Sequence, residues 1–342
     1  MQAIKRLALA GTVVVGAAAA TLLPVAHARA QVVPPRPLEQ AQPEAPQNRL
    51  DMPVEGWVVL RYTILPDGRT AEIRVVDRMP PQLSDREAVS AVEDWTFEPA
   101  TDDGTAIEWH NNESVVVFDV DSIPMEPSPP FSQVYLEVDE LIESEEHDKA
   151  LTRNERMLAN ATSRLAEVGL AQMQRATINL ALGDVHAAYA AVLRATDPRI
   201  PVLGTEDLKV ALQYRNAIEL QLGHAVGALE TFARRTEIEP VPDSDLMASR
   251  AAPIEEALRG DSPIVIKAKV ADDYWRHTPA RRTFAIADVN GDLDSIQVEC
   301  DRRGAELPYA PDSEWTLPET WGACTLMIEG RRDTEFLFYE FP

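Results

Sequence analysis

The stretch DVNGDLDSIQVE, Asp288 to Glu299, is where residue types and spacing come nearest to a metal site. Asp288, Asn290, Asp292, Asp294 and Glu299 fall at positions 1, 3, 5, 7 and 12 of a calcium loop, which takes its oxygen ligands at those steps. The sixth position is Leu293, where the sharp turn requires glycine, and Gly291 stands too early. The flanks alternate as strands do, whereas a calcium loop lies between helices. The stretch reads as an Asn-Gly hairpin carrying solvated acids.

No other cluster comes closer to chemistry. His27, His110, His147, His186, His224 and His277 are scattered and form no HExxH-like pair. His186 and His224 stand near helix starts and read as surface or turn residues. SEEHD, Ser144 to Asp148, reads as an acidic solvated helix face. No GxSxG, phosphate-binding glycine loop or reactive-cysteine motif is present. Catalytic residues, metal ligands and cofactors are therefore expected to be none. The enzyme alternative would need a site in the C-terminal β domain or in a cleft between domains.

A net charge of -24 over 342 residues argues against nucleic acid, which binds basic patches. Cys300 and Cys324 are the two cysteines. In an exported chain they read as a disulfide, closing a loop of about 25 residues for roughly 3.5 kcal/mol. Export is suggested by the N-terminus: MQAIKR is basic, Leu7 to Val25 is apolar, and AHARAQ offers cleavage after Ala28 or Ala30. The alternative keeps 7–25 as a membrane anchor.

The elements that would position a site divide the chain into a multidomain α+β protein. Residues 1–30 are the signal or anchor, and 31–52 a proline-rich extended tether. Residues 53–121 read as strand, strand, helix, strand. Val58, Leu60, Tyr62 and Ile64 share one strand face, and Ala71, Ile73 and Val75 point inward on the next. Ser84 with Glu87 forms a capping box, and Leu83 with Ala88 a hydrophobic staple. A proline-rich linker covers 122–132. Residues 133–258 are α-helical hairpins dividing at Gly183-Asp184 and Gly223-His224. Their period of about 40 is longer than the 34 of tetratricopeptide repeats, so the hairpins are TPR-like. Residues 262–342 form an antiparallel β domain, a sandwich stapled by its disulfide, with VNGD as a tight hairpin turn.

The first folded unit carries a pattern. Gly56 and Val58 open a strand, and Asp67-Gly68 turns it. Trp95-x-Phe97-x-Pro99-Ala100 follows the helix, and Gly104 precedes the last strand. Together these resemble the C-terminal domain of TonB-type energy transducers. Trp95 and Phe97 would close the helix on the sheet and Pro99 would stop the helix. The resemblance implies a βαβ-type domain in the periplasm that grips an extended peptide of outer-membrane receptors by strand addition. Glu113 to Val120 is the expected edge, with Glu113, Val115, Val117 and Asp119 as its residues. A non-enzymatic envelope protein with protein partners follows. Its alternative is a membrane-anchored transducer driving receptor-dependent transport.

Overall fold

The structure is a computed structural model that describes residues 32–47, 53–120, 126–162, 164–242, 245–271 and 274–342. The signal or anchor, with Ala28 and Ala30, lies outside the described residues.

The described part of the proline-rich segment, residues 32–47, is docked on the domain that follows. It supplies strands β1 (Val32–Val33) and β2 (Arg36–Glu39). The domain itself comprises β3 (Gly56–Ile64), β4 (Thr70–Met79), helix α1 (Arg86–Glu93), β5 (Thr96–Glu98), β6 (Thr101–Asp102), β7 (Thr105–Ala106) and β8 (Trp109–Phe118). β1 pairs with β6 and β2 with β5, while β4, β3 and β8 make a three-stranded antiparallel sheet in that order. Trp95 Nε1 donates to Ala41 O at 3.0 Å, so the presumed tether is strapped across the helix end. Unpaired backbone beside a sheet edge gains hydrogen bonds by adding to it.

Four local expectations change. Val75 is 36% exposed, because β4 is an edge strand whose register shifts between Asp77 and Val75. Ser84 Oγ donates to the Glu87 carboxylate at 2.6 Å, and Asp85 takes the N-cap position. The helix stops at Glu93 without Pro99: the Trp95 and Asp94 N–H groups close back on Val92 and Ala91, and Thr96 already pairs as a strand. Pro99 follows β5 instead. The expected linker also ends early, since a helix begins at Pro129, a residue type suited to a first helical turn.

The middle region consists of α2 (Pro129–Glu143), α3 (His147–Asn160), α4 (Leu165–Ala181), α5 (Val185–Ala195), α6 (Thr205–Leu222), α7 (Ala225–Ile238) and α8 (Leu246–Arg259). Of SEEHD, Ser144 to Glu146 form the turn between α2 and α3, with Glu145 at φ 59, and His147 and Asp148 open α3. Gly183 and Gly223 sit at φ 80 and φ 78 just past α4 and α6, the left-handed conformation that glycine adopts freely at a helix end. Successive helices pack into stacked antiparallel hairpins. Among the described residues no helix is long and apolar enough to cross a membrane.

The C-terminal region contains β9 (Ile264–Lys269), β10 (Tyr274–His277), β11 (Thr283–Asn290), β12 (Leu293–Cys300), β13 (Arg303–Pro308), β14 (Glu314–Thr316), β15 (Cys324–Gly330) and β16 (Glu335–Phe341). Two four-stranded sheets, β10-β15-β12-β13 and β14-β11-β16-β9, enclose one apolar core. VNGD is not a hairpin turn: β11 and β12 belong to different sheets, and Gly291 turns the sandwich corner. A Cβ on Gly291 would stand 2.3 Å from Thr334 Oγ1. The disulfide joins Cys300 to Cys324, which face each other on the neighbouring strands β12 and β15.

Candidate functional site

Strand β3 has no exposed residue along its whole length, because the sheet is covered on both sides. On the first side Val58, Leu60, Tyr62 and Ile64 pack with Val116 and Phe118 beneath α1. On the second, Trp57, Val59, Val115 and Val117 pack against Phe131, Leu165 and Val168 of the helical region. Val115 and Val117 thus face the helices. Asp119 is exposed and lies just beyond the end of β8.

The motif residues meet in space. Asp67-Gly68 and Trp95-x-Phe97 touch through backbone: Phe97 N–H donates to Gly68 O at 2.9 Å. A side chain on Gly68 would stand 2.1 Å from Phe97 O, and its φ of 83 lies in the left-handed region. Tyr62 carries both aromatics, with its ring 6.3 Å from Trp95 and 6.0 Å from Phe97. Gly56 is equally confined, with Met79 O 2.1 Å from where its Cβ would be. Gly104, at φ 80, turns between β6 and β7 with nothing near it.

β8 is a terminal strand of its sheet, and its beginning is not open. Gly304 of β13 abuts it so closely that a Cβ there would lie 1.5 Å from His110 O, and Asn111 Nδ2 donates to Ala305 O at 2.8 Å. The remaining stretch, Glu113 to Phe118, pairs with β3 on one side and with no strand on the other among the described residues.

Glu113 does not face solvent; its side chain is 2% exposed. Oε2 accepts from Arg61 at 3.2 Å, and Oε1 from Arg199 at 3.0 Å and Arg276 at 3.3 Å. Burial alone would raise its carboxyl pKa; Arg276, then Arg199 and Arg61, outweigh that and hold it at about 2. Glu299 nearby shifts the other way, raised first by burial and then by the Glu113 charge. Arg61 also reaches Glu329 at 3.3 Å. Strand β3, the loop after α5 and strand β10 therefore meet at one carboxylate. Sequence reasoning missed the three arginines; the one available signal was a charged Arg61 in the middle of an otherwise apolar strand.

The acids of the DVNGDLDSIQVE stretch do not converge, because β11 and β12 diverge into separate sheets. Among the described residues no three His, Cys, Asp or Glu side chains are arranged to hold a metal ion. His224 is a turn residue, as expected, yet it is 2% exposed, packed among Tyr189, Trp275 and His277. Burial, then His277, holds its pKa well below the usual range.

Residues 41–116 match the family described as Gram-negative bacterial TonB protein C-terminal. This segment is a TonB C-terminal domain. It starts at Ala41, inside the proline-rich stretch, in keeping with the strap that docks there. The Protein TonB of Escherichia coli K12 is 31% identical over 65 residues, covering 19% of this chain and 27% of that protein. The Protein TonB of Pseudomonas aeruginosa is 33% identical over 72 residues, 21% of each chain. The chain thus spans about a quarter of the length of these relatives. A solution NMR structure of the Pseudomonas aeruginosa TonB C-terminal domain aligns at 28% identity and a TM-score of 0.23, covering 26% of this chain and 90% of that one. The TonB C-terminal domain here is followed by helical hairpins and a β sandwich that lie outside the match.

Proposed function

We propose that this chain is a non-enzymatic interaction protein of the cell envelope, exported to the periplasm, whose TonB C-terminal domain binds an extended peptide by strand addition along Glu113 to Phe118 of β8. The observation that carries this reading is the terminal position of β8 in a sheet matched to that family. Backbone hydrogen bonds supply the affinity in this mode, so burial of the Glu113 side chain does not oppose it. An outer-membrane receptor is the partner the family suggests. The stacked, TPR-like hairpins offer a second protein-binding surface.

Hydrogen exchange on the full chain tests the reading, with a synthetic peptide copying an outer-membrane receptor's N-terminal segment as probe. Added protection over Glu113 to Phe118 is expected, with β4 unchanged. Protection confined to β4, or none at saturating peptide, refutes it.

A further inference from the structure

A cavity of about 270 Å³ lies where the three folded regions meet. Its walls include Trp57 and Val59 of β3, Tyr189 and Leu193 of α5, and Tyr274 and Arg276 of β10. The volume falls just below the roughly 300–1,000 Å³ of pockets for drug-sized ligands, so a smaller molecule fits.

The cations around this cavity differ in one respect. Arg194 holds Asp77 through two contacts of 2.9 Å and 3.1 Å. Arg199 holds Asp197 at 2.8 Å, Arg215 holds Glu219 at 2.8 Å, and Lys269 holds Asp333 at 3.0 Å. Each has a carboxylate of its own. Arg276 has none among the described residues. It touches Glu113 Oε1 at 3.3 Å through one nitrogen, and Arg199 takes the same oxygen at shorter range. A guanidinium offers five N–H donors in a fixed planar fork, suited to a second, bidentate carboxylate. The Arg276 side chain remains 33% exposed while lining the cavity.

We propose that this cavity is a binding site for a small monoanion with an aromatic body, a ring carboxylate seated on Arg276 between the Trp57, Tyr189 and Tyr274 rings. An apolar body is favoured because aromatic side chains supply much of the wall. A single charge is favoured over a phosphate, because the chain as a whole carries -24 and repels multiply charged anions. Away from bulk water the guanidinium–carboxylate contact is stronger than at the surface.

Isothermal titration of the full chain with benzoate, 4-hydroxybenzoate and neutral benzyl alcohol tests this. One of the two carboxylates is expected to bind saturably with one site per chain, and benzyl alcohol at least about tenfold more weakly, the scale of a hydrogen bond to a charged group. Arg276→Gln should weaken the carboxylate by a similar factor. Because that change also removes a partner of Glu113, Ala190→Phe is the second variant: it fills the cavity without touching an ion pair and should abolish binding. Neither carboxylate binding at millimolar concentration, benzyl alcohol binding as tightly, or unchanged binding in Ala190→Phe overturns the proposal.

Discussion

The two sides of the β3 sheet are both buried, with different chemistry. Toward α1 the contacts are apolar and come from the TonB C-terminal domain itself. Toward the other units the sheet is apolar at one end, through Trp57 and Val59, and ionic at the other, through Arg61 and Glu113. The first side closes within residues 32–120. The second needs α2, α4, the loop after α5 and β10 before Trp57 loses water or Glu113 gains Arg199 and Arg276. The difference teaches that a recognised domain can here be half of an interface that its own sequence does not complete.

Large-to-small substitutions break the comparison most forcefully. Trp57→Ala and Leu60→Ala should each cost on the order of 3–5 kcal/mol in transfer and cavity terms. Their signatures should differ. Leu60→Ala lowers a single urea transition, because it removes the domain's own core. Trp57→Ala separates the transitions seen by circular dichroism and tryptophan fluorescence, because it loosens the helical region from the sheet. Coincident transitions in Trp57→Ala would mean that the two sides form one cooperative unit.

The ionic end answers to pH. Glu113→Ala leaves Arg61, Arg199 and Arg276 around an empty position and should cost about 3–5 kcal/mol, as breaking a buried pair does. A carboxyl held at about 2 contributes stability that is fully present above its unfolded value of 4.5 and is lost as pH falls toward 2. Glu299, raised by burial, works in the opposite direction, favouring the fold as it takes up a proton. Acid unfolding of the wild type should therefore steepen below about pH 4.5, and Glu113→Ala should lack that component. A variant whose stability falls as steeply between pH 4.5 and 2 would show that other carboxylates drive acid unfolding.

How much of this was legible follows the same division. Period-2 alternation in WVVLRYTIL revealed which residues share a side, and the Gly183 and Gly223 helix ends were legible because a left-handed helix stop is a local event. The second cover of β3 was not, since its partners lie far along the chain: Arg276 reaches Glu113 from 163 residues away. VNGD misled because an Asn-Gly turn has the same local chemistry at a sandwich corner as in a hairpin. The strap was missed for a related reason: polar, proline-rich composition predicts an extended backbone and says nothing about the edge it pairs with. The expected binding residues divide likewise. For Glu113, Val115 and Val117 the place on a terminal strand was readable, whereas Asp119 falls past its end and the direction Glu113 faces depended on Arg199 and Arg276 from outside the sheet.

The smallest expected effect sharpens the contrast between buried and exposed charge. Arg36 of β2 and Glu98 of β5 form an ion pair with two contacts, 2.9 Å and 2.6 Å, as short as any around Glu113. Geometry alone would rank the two sites together. Arg36 is 71% exposed, however, and water with dissolved salt screens the pair, so its worth is near nothing. Arg36→Ala should leave the urea midpoint within error, with the strap still held by the Trp95 hydrogen bond to Ala41 and the buried Pro46. Limited proteolysis within 36–46 reads this directly. Faster cleavage in Arg36→Ala would mean that the exposed pair, rather than backbone pairing and the Trp95 contact, fastens the strap to the domain.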